Sequence, residues 1–286
     1  MKPASSLRGV LAMTAGTGLL TLSDAASKYL MEQYPIGQVI CLRQAAAFAF
    51  LLPYAASTVG LRALRATDYR GQALRASLFV VGVICVMWSL HLLPLAFVTV
   101  VLFSSPLFVA LLSAPLLGER VRRHQWIAIG AGFAGVMLIV RPGGSGFEWV
   151  VVLPLLCAFI NGMRDAITRR ISRSESSLSV LFWSGVAVLI AGLCSLPLGW
   201  SAVGSEGAMW FLAAGFCHAA AHFCVIEAFR LGNAALVAPF RYSGLLWAML
   251  VGFIVWGDVP TATMLAGAAV VVVAGIYMLR AENAKR

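Results

Sequence analysis

The ionisable side chains that could do chemistry are few, and they sit inside long apolar stretches. Cys217, His218, His222, Cys224 and Glu227 share one stretch, with the histidines at i, i+4 and therefore on one helix face. Two imidazoles at that spacing can ligate a metal, but position 219 is Ala where a metalloprotease HExxH carries Glu, so a zinc hydrolase is disfavoured. Each could instead be a core histidine satisfied by a neighbour. With Glu227 they could also form a titratable wall for a proton-coupled step, because imidazole changes charge near neutral pH.

Arg43, with Gln44 beside it and Gln38 upstream, falls about 10 Å into its apolar stretch at 1.5 Å per residue. Arg241 is similarly placed in Pro239-Phe240-Arg241-Tyr242-Ser243. A buried guanidinium needs an acceptor. Either a protein carboxylate (Glu227 for Arg241) or an anionic group of a solute would serve. Asp24 and Lys28, at i, i+4, are expected to form an ion pair at a helix end, with Lys28 reaching to the interface. Asn161, Asp165 and Thr168 form a polar stripe beside Arg164, with Asp165 a gating or substrate-contact residue. Among the aromatics, Trp88, Phe103, Tyr242 and Trp247 fall mid-stretch and could stack on a planar solute, while core packing is the alternative use. Trp183, Trp210 and Phe223 compete with them for interfacial or core roles. Pro106, Pro154 and Pro239 interrupt backbone hydrogen bonding within the stretches.

These residues need elements to hold them, and composition says where those elements live. The 286 residues are 61% hydrophobic and 11% charged, with a mean hydropathy of +0.91. A water-soluble domain of this size could not hide that much apolar surface. Ten stretches are long enough to span a bilayer as helices: 8–29, 36–56, 74–92, 96–117, 125–141, 148–168, 178–197, 207–229, 235–256 and 262–280. Barrel-type alternation is absent. Residues 1–30 lack a small-residue cleavage site before Asp24 and Lys28, so the first stretch is expected to remain as a helix. The six cysteines, Cys41, Cys85, Cys157, Cys194, Cys217 and Cys224, all fall in apolar stretches without CxxC or zinc spacing and read as small hydrophobes.

The net charge of +10 does not point to nucleic acid, since the basic residues form short clusters between spans rather than one basic face. With the amino terminus in the cytoplasm, the termini and the connections after spans two, four, six and eight hold 16 of the 21 Lys and Arg. The positive-inside rule then puts both termini inside. In that count Arg62, Arg65, Arg70 and Arg75 belong to the second connection, and Arg120, Arg122 and Arg123 to the fourth.

Residues 1–141 and 147–286 repeat one another. Ser23–Lys28 aligns with Arg164–Arg169, and Gly118-Glu119 with Gly257-Asp258, each before a helix rich in small residues. Five helices per half is an odd number, so the second half is expected upside-down relative to the first, with a solute site where the halves meet. Ser113-Ala114-Pro115-Leu116-Leu117-Gly118-Glu119-Arg120, and its second copy Phe253–Pro260, resemble the signature of the EamA branch of the drug/metabolite transporter superfamily. That resemblance implies a ten-helix, two-repeat transporter with a central cavity. Members carry amino acids, sugars, vitamins, opine-like metallophores and nucleotide-like metabolites.

The function expected is therefore secondary active transport by alternating access of a small anionic, zwitterionic or planar metabolite, such as an amino-acid derivative or a vitamin like riboflavin. No Walker A loop is present, so ATP is not expected as the driver, and no cofactor or metal is expected. A membrane-embedded lipid-modifying enzyme is the alternative, and a channel lacks the ring of filter residues it would need. The expected partners are the solute and the bilayer of a bacterial inner membrane, with monomer and homodimer both open.

Overall fold

The computed structural model describes residues 3–58, 60, 64–117, 123–140, 149–171, 177–231 and 237–283. The Gly118-Glu119 and 142–147 joints, Arg62, Arg120, Arg122, Arg141, Arg173 and both charged termini lie outside the described residues, as do the side chains of Arg169, Arg170, Arg230 and Arg280.

Helices α1 (Pro3–Leu30), α2 (Ile36–Thr58) and α3 (Tyr69–Leu92) are followed by α4 (Leu95–Leu102) and α5 (Ser105–Leu117), then α6 (Arg123–Val140). A 3-10 turn (Trp149–Val152) leads into α7 (Leu153–Ile171), followed by α8 (Ser177–Leu193) and α9 (Ser205–Leu231). A second 3-10 segment (Ala238–Tyr242) leads into α10 (Ser243–Trp256), and α11 (Ala262–Asn283) ends the chain. Among the described residues these make ten helical passes and no strand. Five segments are long and apolar enough to cross a bilayer on their own: Ile36–Ser57, Tyr69–Leu92, Trp149–Thr168, Leu178–Leu198 and Ser205–Ala228.

The distribution of side chains is inside-out. Thr17, Thr21, Ser23, Ser27, Gln38, Arg43, Gln44, Gln72, Arg75 and Ser184 are buried, while Leu11, Leu246, Ile254 and Val273 are exposed. That arrangement is stable only with hydrocarbon outside, so the chain is a multi-pass membrane protein.

Two expected spans are not continuous helices. The fourth breaks at Phe103-Ser104, where Ser104 Oγ donates to the Val101 carbonyl at 2.7 Å and Ser105 Oγ to that of Leu102 at 2.8 Å. These hydroxyls compete for the carbonyls that continue the helix, and Pro106 sits in the first turn of α5, where a missing N–H does no harm. The ninth begins as the 3-10 segment containing Pro239, and Ser243 Oγ donates to the Phe240 carbonyl at 2.7 Å. The prolines thus mark helix starts: Pro154 likewise lies at the head of α7. At the other end of α10, Gly257 adopts φ 70° and its N–H bonds the Phe253 carbonyl, while Asp258 N–H reaches that of Gly252. This left-handed stop explains the glycine of the Gly-Asp joint.

Helix α1 packs along α9 and α10, α3 along α7 and α8, and α2 against α8 and α9, while α7 also lies against α4 and α5. Helices α6 and α11 pack on each other, and α4 on α10. Gly135 and Gly267 allow the α6–α11 backbones to touch: a Cβ on Gly135 would lie 2.9 Å from the Gly267 carbonyl oxygen. One apolar core (Leu30, Met87, Leu90, Leu95, Val98, Phe211) fills the bundle end that carries the α1–α2 turn. A second (Val100, Val101, Val136, Ile139, Leu245, Val271) joins α4, α6, α10 and α11.

Candidate substrate site

Arg43 projects from the second turn of α2 and is 3% exposed. Its Nη1 donates to Asp24 Oδ1 at 3.4 Å and to Ser27 Oγ at 3.3 Å, both on α1. The acceptor that the buried guanidinium requires is therefore a protein carboxylate, in the first instance. Asp24 pairs with Arg43 and not with Lys28, which corrects the expected i, i+4 pair. Lys28 Nζ instead donates to the Leu90 and Leu93 carbonyls at 2.6 and 2.7 Å, and lies 5.5 Å from the Trp256 ring centroid. The reason is geometric: the last carbonyls of α3 lack helical partners, and the lysine stem reaches them.

Asp24 keeps 26% of its side-chain surface. His218 and His222 of α9 are half-buried. His218 and His222 lie ring to ring at 4.7 Å, one helical turn apart. The guanidiniums of Arg164, Arg43, Arg241 and Arg75 are all within electrostatic reach of His222. Two buried polar atoms in this region have no hydrogen-bond partner, Arg43 Nε and His218 Nδ1. An unpaired buried polar group costs about 1–3 kcal/mol, which makes this pair a candidate contact for a solute.

The remaining expected residues separate into two sets. Asp165 is 43% exposed and accepts from Arg164 Nη2 at 2.7 Å and Nε at 3.0 Å. Asn161, on the same α7, lies against Gly82 of α3: a Cβ on that glycine would be 3.2 Å from Asn161 Oδ1. Trp247 donates Nε1–H to the Thr14 carbonyl at 3.1 Å and packs on Gly18, so it ties α10 to α1. Tyr242 packs edge-on to Phe103 at 5.1 Å and its hydroxyl presses on Gly275 of α11, without a hydrogen-bond partner. Glu227 is half-buried on α9, beyond His222.

Trp88 and Arg241 are placed differently from the expectation. Trp88 is 47% exposed and lines a lateral apolar cavity of about 530 Å³ with Tyr34, Ile84, His91 and Val188, outside the Arg43 region. Arg241 is exposed rather than buried mid-helix, because the ninth pass begins as a 3-10 segment and α10 starts only at Ser243.

Arg75 is a candidate residue that the sequence reading misses. The charge count places it with a connection although it opens the 74–92 stretch, but α3 starts at Tyr69, capped by Asp68 accepting from the Gly71 N–H at 2.9 Å. Arg75 is buried, with Nε donating to Thr168 Oγ1 at 2.8 Å and Nη1 to Ser184 Oγ and the Val180 carbonyl. The signal that could find it is Gln72, Arg75 and Phe79 at i, i+3 and i+7, a polar-aromatic stripe on one face.

Comparison with known proteins finds transporters along nearly the whole chain. The "Riboflavin transporter" of Rhizobium johnstonii is 29% identical, with 99% of this chain and 94% of the relative covered. The "S-adenosylmethionine uptake transporter" of Rickettsia prowazekii is 25% identical over 92% of this chain and 89% of its own. The pseudopaline exporter of Pseudomonas aeruginosa is 28% identical over 96% and 97%. A solved crystal structure at 20% identity, with a TM-score of 0.65 over 97% of each chain, shares the fold. Residues 7–141 match the EamA-like transporter family. With ten helical passes among the described residues, a polar interior and transporters as relatives along nearly its whole length, this chain is similar to the EamA-like transporters of small metabolites.

Proposed function

We propose that the chain carries a planar or anionic organic solute by alternating access, binding it between two inverted five-helix repeats, 1–141 and 147–286, around Arg43 and the His218–His222 face. The observation that carries this reading is the pair of unpartnered buried atoms, Arg43 Nε and His218 Nδ1, beside the partly exposed Asp24. The Nε–H donates and an imidazole nitrogen donates or accepts according to its tautomer, which suits a solute with polar edges.

The repeat is supported by packing. Shifting each pass by five turns the α1–α9 contact into α7–α3 and the α2–α9 contact into α8–α3, and it maps α2–α8, α4–α10 and α6–α11 onto themselves. The positive-inside count favours both termini in the cytoplasm. The end bearing the α1–α2 turn is then periplasmic, and there Lys28, the Gln38–Ser201 pair of hydrogen bonds and the Tyr34–Phe211 contact knit α1, α2, α3 and α9 together. Toward the opposite end Asp165 is 43% exposed and Arg241 is exposed, against a buried Arg43. We read this as a cytoplasm-facing state with Asp165 and Arg241 at the mouth, and with Trp247, Tyr242 and Asn161 shaping the wall.

Riboflavin and S-adenosylmethionine, named for two sets of relatives, both contain a planar nitrogen heterocycle, which fits a solute of this class. Proton coupling is assigned to His218, His222 and Glu227, and the bacterial inner membrane is the proposed location. The test is counterflow in proteoliposomes with labelled riboflavin and S-adenosylmethionine as probes. Saturable counterflow of either supports the assignment, and none of either from monodisperse protein overturns this substrate class. Reporter fusions at Arg286 and within 142–147 should report opposite compartments, and a matching signal from both would overturn the topology.

A further inference from the structure

Arg43 has a carboxylate within 4 Å, but among the described residues the buried Arg75 has none that close, and Asp165 acts on it from farther off. Arg75 is 8% exposed, and the acceptors of its Nε and Nη1 are all uncharged: Thr168 Oγ1, Ser184 Oγ and the Val180 carbonyl. Its Nη2 stands outside those bonds. A second guanidinium packs on the Phe79 ring: the Cζ atoms of Arg75 and Arg164 are 5.9 and 5.3 Å from its centroid. The nearby carboxylate, Asp165, is engaged by Arg164 through two nitrogens on one oxygen, Oδ1. Arg75, Arg164 and Asp165 together carry one net positive charge.

Hydroxyls and a carbonyl satisfy the hydrogen bonds of a buried arginine, but they do not neutralise its charge in a low-dielectric interior. The Phe79 ring softens the repulsion between the two guanidiniums, since each meets its negative face. It does not remove the imbalance. Arg164 is 19% exposed and Asp165 43%, so the cluster borders open space rather than closed core. A planar fork with a terminal nitrogen to spare matches an oxyanion.

The geometry points to a second solute station here: Arg75 and Arg164, both packed on Phe79, take a carboxylate or phosphate group of the transported solute beside Asp165. This rests on the reading that a small solute moves through the bundle. It adds a selectivity element distinct from Arg43, because a neutral solute would leave the excess charge uncompensated.

Isothermal titration of the full chain in nanodiscs with inorganic phosphate, at ionic strength held constant with chloride, reads the station directly. The expected result is saturable binding at one site, weakened about ten- to a hundred-fold in Arg75→Gln and in Arg164→Gln, and unchanged in the exposed Arg65→Gln. If Arg75→Gln does not fold, the less buried Arg164→Gln carries the test. No saturable phosphate binding in folded wild type, or wild-type affinity in a folded Arg164→Gln or Arg75→Gln, overturns the proposal. Riboflavin counterflow separates the two readings: flux without phosphate binding removes the station alone, and phosphate binding without flux of any probe removes the substrate assignment alone.

Discussion

An offset of 141 residues relates Asp24 to Asp165, Ser27 to Thr168 and Arg43 to Ser184. Both sets assemble, but with different charge. In the first, Asp24, Ser27 and Arg43 close on one another, with the guanidinium at 3.4 Å from the carboxylate and 3.3 Å from the hydroxyl. In the second, position 184 is a serine, and the guanidinium that meets Thr168 and Ser184 is delivered by α3 as Arg75, while Asp165 is taken by its neighbour Arg164. The hydroxyl–guanidinium contact is kept, but it is built from different helices. The first cluster is charge-balanced, which suits holding Arg43 in place with its Nε–H turned to a solute, and the second carries an excess positive charge, which suits selection of an anion.

The largest effect should come from breaking the balanced cluster. Arg43→Ala leaves Asp24 as an uncompensated interior carboxylate, and removing one partner of a buried pair costs about 3–5 kcal/mol. A thermal melt should show a clear loss of stability, which Asp24→Asn in the same chain should partly restore by removing the stranded charge. If the double variant is no more stable than Arg43→Ala, the pair is not the source of the loss.

A smaller, sharper comparison uses the two hydroxyls. Thr168→Val removes an acceptor from Arg75, which among the described residues has no carboxylate within 4 Å to fall back on, and should cost about 1–3 kcal/mol. Ser27→Ala leaves Arg43 its bond to Asp24 and should cost less, nearer the net value of about 1 kcal/mol for an ordinary hydrogen bond. Equal losses in paired denaturation curves would mean that the two clusters are energetically alike.

The smallest expected change is one of profile. His222→Ala and Glu227→Gln should flatten the pH dependence of transport, because imidazole and carboxylate are the groups in this face that exchange a proton. Transport that keeps its wild-type pH profile in both variants would place the proton pathway elsewhere.

The passes are readable from the sequence because apolar length is a coarse and robust signal, and the transporter class follows from Gly118-Glu119 and Gly257-Asp258. Arg43 is legible because a cation deep in an apolar run cannot be lost in the background. Its partner is not, since Lys28 at i+4 looks closer to Asp24 than an arginine 19 positions away, and only the packing of α2 on α1 decides between them. Arg75 and Arg241 depart from their expected places for complementary reasons. Each lies within a turn or two of a pass boundary, where hydropathy cannot say whether the helix has begun. Asp68 caps α3 early enough to draw Arg75 inside, whereas the 3-10 segment at Pro239 keeps Arg241 exposed.

The claim that the solute sits against Arg43 is tested most directly by riboflavin counterflow in proteoliposomes of wild type, Arg43→Lys and Arg43→Gln, at matched reconstitution and with melting curves recorded. Losing a charge-assisted bond should reduce apparent affinity about ten- to a hundred-fold in Arg43→Gln, with partial recovery in Arg43→Lys, because an ammonium replaces the charge but not the planar fork. Wild-type affinity in a folded Arg43→Gln would contradict the account and leave Arg43 as a purely structural partner of Asp24.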